Sequence, residues 1–300
     1  MFSYRHAFHA GNHADVLKHM VLIATLKHLL QKDTPITVVD THAGAGLYRL
    51  DDSFARTSGE ADDGIAKLIA APAGTLQPAV QDYLDMVASF NTPNSFKVYP
   101  GSPFIAQRLL RETDKLKMFE LHSTDSRALV NNVQELQAGR QVAVHIEDGF
   151  EGPKKFLPPP ARRGLLLCDP SYEIKTDYAK VIALLTDSLK RFATGTYVVW
   201  YPIIARREAQ DLPRKLKLAA TRAGKNWLHA SLIVNAGAVN TTHGYDVESS
   251  DNQRPGLPGS GMFLINPPYT LYGALKTALP QLATLLGQDA HANSNLESGG

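Results

Sequence analysis

Only one cysteine occurs in 300 residues, so no internal disulfide can form and no Cys-based zinc site can be built. That residue, Cys168, closes an apolar run and reads as a small core side chain rather than a reactive thiol. No stretch of 18 or more apolar residues occurs, which excludes a spanning helix by length, and Met1 to His6 lacks the charged and then apolar order of a signal peptide. A cytoplasmic protein is expected, with no membrane partner. Internal repeats are absent, which removes solenoids and propellers. Net charge is small at +2, but residues 1–150 carry 14 Lys+Arg against 17 Asp+Glu, and residues 151–300 carry 17 against 12. The excess concentrates between Arg206 and Lys225, where Arg206, Arg207, Arg214, Lys215, Lys217, Arg222 and Lys225 face only Glu208 and Asp211. Such a stripe suits either a solvated helix face or contact with phosphates.

The chain is 44% hydrophobic and 20% charged, enough for a sizeable globular core. Ala14 to Lys32 places Val16, Leu17, Met20, Val21, Leu26 and Leu30 at helical spacing behind the capping residues Asn12 and Asp15, predicting a helix. Short apolar runs follow at 36–39, 117–120, 142–146, 164–168, 196–201, 231–234 and 262–265. Seven strands separated by helical or mixed segments predict an α/β, Rossmann-like fold: a seven-stranded, mostly parallel sheet with helices on both faces. About seventy residues separate the first two runs, far more than a crossover needs. Residues 51–98 are therefore expected to form a small helical insertion, with 1–50 and 99–287 as the main domain. The tail, 288–300, is polar and rich in small residues, and is expected to be disordered.

In such a sheet, ligands bind beyond the carboxyl ends of the strands, where the winding reverses. Acidic residues fall there repeatedly: Asp40 before His42-Ala43-Gly44-Ala45-Gly46, Glu120, Asp148-Gly149, and Asp169-Pro170-Ser171-Tyr172. Gly44 and Gly46 allow close approach of backbone to a ligand, Glu120 suits ribose hydroxyls, and Asp148-Gly149 suits an adenine edge. Position 49 is Arg where a dinucleotide turn would carry its third glycine, which favours S-adenosylmethionine over NAD. Asp169 and the Pro170 carbonyl offer two acceptors to an exocyclic amino group, and Tyr172 is positioned to stack on its base. That combination points to methyl transfer onto an amino nitrogen. A second motif, Asn266-Pro267-Pro268-Tyr269, ends the last run and is assigned to a structural turn. The amino-terminal segment packs four of the eleven histidines into nineteen residues, but it lacks the partners of a metal site and suits an RNA base and its phosphates better.

Taken with Tyr4 to His19 (YRHAFHAGNHADVLKH), Asp40 to Gly46 (DTHAGAG), Tyr99 to Pro103 (YPGSP), Glu120-Leu121-His122, Asp148-Gly149-Phe150 and Asp169 to Glu173, the chain resembles the RlmJ-type 23S ribosomal RNA adenine-N6 methyltransferases over nearly its whole length. The resemblance implies a Rossmann-like methyltransferase with a helical insertion, using S-adenosylmethionine and acting on 23S ribosomal RNA; no metal is required by the chemistry, and a monomer is expected although the sequence does not give the oligomeric state. It also implies that Lys18, His19, His42, Ser102, Glu120, Asp148, Gly149 and Asp169 surround the cofactor, that Asp169 is catalytic, and that Tyr4 touches the RNA. The family motif reads Asp-Pro-Pro-Tyr, whereas position 171 is Ser. This adds an N–H donor and frees a backbone angle. A noncatalytic RNA-binding protein with a degenerate site and an NAD-dependent oxidoreductase stay open as alternatives.

Overall fold

A computed structural model describes residues 9–50, 59–93, 95–239 and 256–300. Helix α1 (His13–Leu29) starts where Asn12 accepts hydrogen bonds from the Ala14 and Asp15 amides, as a capping residue should. Thirteen of its seventeen residues are buried, Asp15, Lys18 and His19 among them. A helix enclosed on nearly all sides carries its polar groups inside the protein, where they must find partners.

Ten strands follow among the described residues: β1 (Thr37–Asp40), β2 (Leu47–Arg49), β3 (Val98–Pro100), β4 (Lys115–Phe119), β5 (Val142–His145), β6 (Gly164–Cys168), β7 (Thr196–Pro202), β8 (Trp227–Ile233), β9 (Gly259–Ile265) and β10 (Asn293–Gly299). Eight of them form one sheet in the order β10-β8-β9-β7-β6-β1-β4-β5, while β2 and β3 pair separately. From β7 to β5 every pairing is parallel. β1 is buried throughout, its polar ends Thr37 and Asp40 included, as expected of a central strand covered on both faces. The chain leaves β1 toward β4 and β5 and then returns to β6 on its other side. That reversal opens a crevice at the carboxyl ends of β1, β4 and β6.

The remaining helices are α2 (Ile65–Ile69), α3 (Pro78–Ala88), α4 (Ser102–Leu109), α5 (Ser123–Glu135), α6 (Thr176–Arg191), α7 (Arg207–Arg222) and α8 (Leu271–Leu286). Two cores lie on opposite faces of the sheet. One joins α1, α3, α4 and α8 through residues such as Leu17, Val80, Phe104 and Leu275. The other joins α6 and α7 through Val181, Leu185, Leu212 and Leu216. Among the described residues, no helix is long and apolar enough to cross a membrane.

Two expectations are corrected. The sheet has eight strands rather than seven. The added strand is β10, formed by the tail expected to be disordered, which pairs antiparallel with β8 over Asn293 to Gly299. Its polar composition conceals it because an edge strand is held by ladder hydrogen bonds to its neighbour more than by apolar burial. The segment 51–98 contains part of the β2–β3 pair as well as helices, and Val80, Tyr83 and Val87 enter the same core as α1. The helices expected there are present at 65–69 and 78–88, and their buried residues share the main core.

Candidate active site

Asp169 follows β6 directly, and two cavities meet at its side chain. The larger, about 220 Å³, lies over the ends of β1, β4 and β6 and is lined by His42, Gly44, Ser102, Glu120, Asp148, Gly149 and Asp169. The smaller lies toward β7, lined by His9, Asn12, Tyr172, Trp200, Pro202, Ile204 and Leu257. Lys18, Asp169 and Ser171 border both. Asp169 therefore stands between two compartments, one acidic and one rich in apolar and aromatic groups.

The Asp169 carboxylate is oriented from α1. Lys18 Nζ lies 2.6 Å from Asp169 Oδ2 and 2.9 Å from Asp15 Oδ1, with only 5% of the lysine side chain exposed. Burial alone would lower the Lys18 pKa, but the two carboxylates outweigh it and raise it above its ordinary value. Asp15 is tied in turn to the amino-terminal loop, accepting a hydrogen bond from the Gly11 amide at 3.0 Å. On the other side of Asp169, Arg206 Nη1 donates to the Tyr172 carbonyl at 2.7 Å. Tyr172 itself has φ +55°, a left-handed conformation that a bulky residue adopts only when its surroundings enforce it. Here the Arg206 contact and a hydrogen bond from the Tyr172 hydroxyl to the Trp200 carbonyl, 2.7 Å, do so.

The walls of the larger cavity are equally constrained. Glu120 accepts the Gly44 amide at 2.8 Å and the His122 amide at 2.7 Å, one on each carboxylate oxygen. Burial nevertheless raises its pKa. Asp148 accepts the Phe150 amide at 2.7 Å. A Cβ at Gly149 would sit 1.7 Å from the Thr41 carbonyl oxygen, and one at Gly44, where φ is +59°, would sit 2.3 Å from the Tyr48 hydroxyl. Only glycine fits either position. Behind this floor Ser102 donates to Asp40 at 2.6 Å, and burial pushes the Asp40 carboxyl up to about 6, with Asp169 adding to the shift and Ser102 opposing it. Burial lowers His42 to about 4, so its ring is neutral near pH 7 and meets Phe150 edge-on at 4.8 Å.

The structure brings Lys18, His42, Ser102, Glu120, Asp148, Gly149 and Asp169 together around one cavity. Two expected contributors are placed otherwise than expected, His19 outside the lining of both cavities and Tyr172 in the wall of the smaller one. His19 is fully buried behind the wall, its Nδ1 2.8 Å from the Tyr99 hydroxyl, which also meets Tyr83 at 3.0 Å. Tyr172 is 2% exposed and packs its ring 4.6 Å from Tyr178, so its ring is not a free stacking surface. Tyr4 lies outside the described residues. Asn266 follows β9, which runs antiparallel to β7, placing it at the opposite end of the strands from Asp169. There its side-chain amide donates to the carbonyls of Ala193 and Gly195, the work of a turn. Sequence reasoning passed over Trp200 and the Arg206 clamp, and noted Asp15 only as a helix-start residue. Trp200 was legible only as strand, and Arg206 only as one cation in a stripe.

A parallel sheet with its winding reversal over an acidic, glycine-floored crevice, and a strand-end Asp-Pro motif at the mouth, defines a Rossmann-like class I methyltransferase. Residues 33–297 match the family described as RsmJ, ribosomal RNA large subunit methyltransferase D, RlmJ. The chain belongs to that family. It is 40% identical to the ribosomal RNA large subunit methyltransferase J of Escherichia coli K12, over 95% of this chain and 94% of that protein. It is 38% identical to the protein of the same name from Haemophilus influenzae, over the same shares. A crystal structure of protein LPL1258 from Legionella pneumophila is 30% identical and superposes with a TM-score of 0.77, covering 97% of this chain and 98% of that one.

Proposed function

We propose that the protein transfers a methyl group from S-adenosylmethionine to the exocyclic N6 of an adenine in 23S ribosomal RNA. The observation that carries this reading is the position of Asp169 between the two cavities. The residues of the larger cavity fit the cofactor by their chemistry: Glu120 is held by two backbone amides in a fixed orientation to receive ribose hydroxyls, and Asp148-Gly149 lines the same cavity, where it would meet an adenine edge. The cofactor would supply an electrophilic methyl on a sulfonium, whose positive charge suits a cavity lined by Glu120, Asp148 and Asp169.

The smaller cavity, about 30 Å³, marks where the target base would enter, and its walls must part to admit a purine. Asp169 and the Pro170 carbonyl accept the two N6 hydrogens, aiming the nitrogen lone pair into the larger cavity. Lys18 binds Asp169 Oδ2, which leaves Oδ1 as an acceptor for the base. Trp200, half-buried in the wall of the smaller cavity, takes the stacking role that buried Tyr172 cannot. As the new N–C bond forms and the C–S bond breaks, one N6 proton must leave, and Asp169 is the nearest acceptor. Most of the rate would come from holding donor and acceptor in line. The base must be unpaired to enter. Among the described residues no group of three or more His, Cys, Asp or Glu is arranged to hold a metal, and the proposed chemistry routes no step through one.

Calorimetric titration tests the cofactor assignment. S-adenosylmethionine should bind and NAD should not, and Glu120→Ala should weaken the former about tenfold, the loss of one or two good hydrogen bonds. Binding of NAD in preference would overturn the reading.

A further inference from the structure

The two faces of the sheet differ in charge, and the site opens beside the positive one. Residues 151–225, which build the α6–α7 face, carry fifteen Lys+Arg against seven Asp+Glu, whereas the other 225 residues carry sixteen against twenty-two. Some of these cations are paired with carboxylates, Lys154, Lys155, Lys180, Arg191 and Lys217 among them, but those along the outer side of α7 are only weakly neutralised. Asp211 is the acidic partner found for both Arg207 and Arg214, at 4.0 and 3.4 Å, and the two arginine side chains stay 93% and 72% exposed. Lys175 and Lys215 are exposed as well.

Topology sets this surface at the site. α6 and α7 each begin just past the carboxyl end of a parallel strand, β6 and β7, so their first turns flank Asp169. Lys180, on the first turns of α6, lines the larger cavity, and Arg206 closes onto the Tyr172 carbonyl. From there Arg207 and Arg214 continue down α7, seven residues and so about 10 Å apart along its axis. A row of weakly neutralised cations leading from a catalytic mouth is the electrostatic footprint of a polyanion, which arrives with its counterions displaced.

We propose that the α6–α7 face, through Lys175, Arg207 and Arg214, docks the phosphodiester backbone of the RNA that flanks the target nucleotide. The partner is RNA rather than an acidic protein, because the stripe continues the mouth through which, on the reading above, a nucleotide base enters. The proposal rests on that reading for the identity of the partner.

The test is direct binding of fluorescent, protein-free 23S ribosomal RNA fragments to the full chain, measured by anisotropy across a salt series, alongside methyl transfer. Arg207→Glu/Arg214→Glu should weaken RNA binding about tenfold or more at physiological salt and reduce the slope of log K against log salt by roughly 0.7–0.9 for each phosphate no longer neutralised. Affinity for S-adenosylmethionine and kcat at saturating RNA should stay within about twofold, since neither arginine enters the cavities. The control Lys97→Glu/Lys276→Glu, two exposed lysines of the opposite side, should change binding by less than about threefold. Unchanged affinity and slope in the arginine variant, or an equal loss in the control, would overturn the proposal, as would wild-type protein that does not bind RNA. RNA that binds through this face but is not methylated would uphold the docking surface and refute the proposed reaction, so the two can fail separately.

Discussion

At the scale of single residues, the site consists of carboxylates whose orientation is set by something else. Asp169 is held by Lys18, Glu120 by two amides and Asp40 by Ser102. Asp169→Asn keeps the shape but replaces one acceptor oxygen with a donor and removes the proton acceptor. Turnover should fall about 10²–10⁴-fold with S-adenosylmethionine affinity nearly unchanged, as single-turnover kinetics with calorimetry would show. Asp40 gives a stability prediction with a definite sign. Its pKa is raised by burial from the ordinary carboxylate value to about 6, so the native state binds the extra proton. The resulting stabilisation is full below about pH 4 and lost as pH rises through about 6. Asp40→Asn should therefore match the wild type near pH 4 and exceed it by about 1–3 kcal/mol above pH 7, visible as a gap in Tm that opens between those values. A gap that closes instead would show that Asp40 stays ionised and paired. The acids at strand ends were legible in the sequence because a buried parallel strand is an apolar run and the first acid after it marks its end. Lys18 as the partner of Asp169 was not legible, since the two are 151 positions apart and meet only once α1 is enclosed.

At the scale of elements, the loop after β6 explains how Ser171 can stand where the family motif has proline. Proline would stiffen this turn through its ring. Here rigidity comes from Tyr172 buried at positive φ and from Arg206 reaching across from the start of α7. Arg206→Ala should lower kcat roughly 10-fold to 100-fold through misplacement of Asp169, with a smaller change in KM for the cofactor. Adding Ser171→Pro should recover part of the loss. No recovery would mean that Arg206 does something other than hold the turn. The same loop sets the ring of Tyr172: its spacing after Asp169 suits stacking, but its backbone conformation packs the ring inward, and conformation of that kind depends on contacts from β7 and α7. Val16, Leu17, Met20 and Val21 illustrate the converse. Their helical spacing marked one face of α1 as core, and all four are fully buried.

At the scale of the whole molecule, the parallel half of the sheet makes the site and the antiparallel half braces it. β8, β9 and β10 extend the sheet beyond β7, and β10 is joined to α7 by the Lys217–Glu297 pair at 2.6 Å. Removing residues 293–300 would expose the edge of β8 and should lower Tm by about 4 °C or more in a calorimetric scan, whereas a disordered tail would leave it unchanged. The α/β class and the parallel strands could be read from apolar runs. The eighth strand could not, because its residues are polar and its pairing is set by β8, which lies far earlier in the chain. The proposed function turns on Asp169 as the group that presents an adenine N6 to the methyl donor. The most direct test incubates the protein with labelled S-adenosylmethionine and protein-free 23S ribosomal RNA, beside Asp169→Asn and Asn266→Ala, and identifies the modified nucleoside by mass spectrometry. N6-methyladenosine is predicted from the wild type and from Asn266→Ala, with its loss in Asp169→Asn. A different methylated nucleoside, or N6-methyladenosine formed at the wild-type rate without the Asp169 carboxylate, would contradict that role.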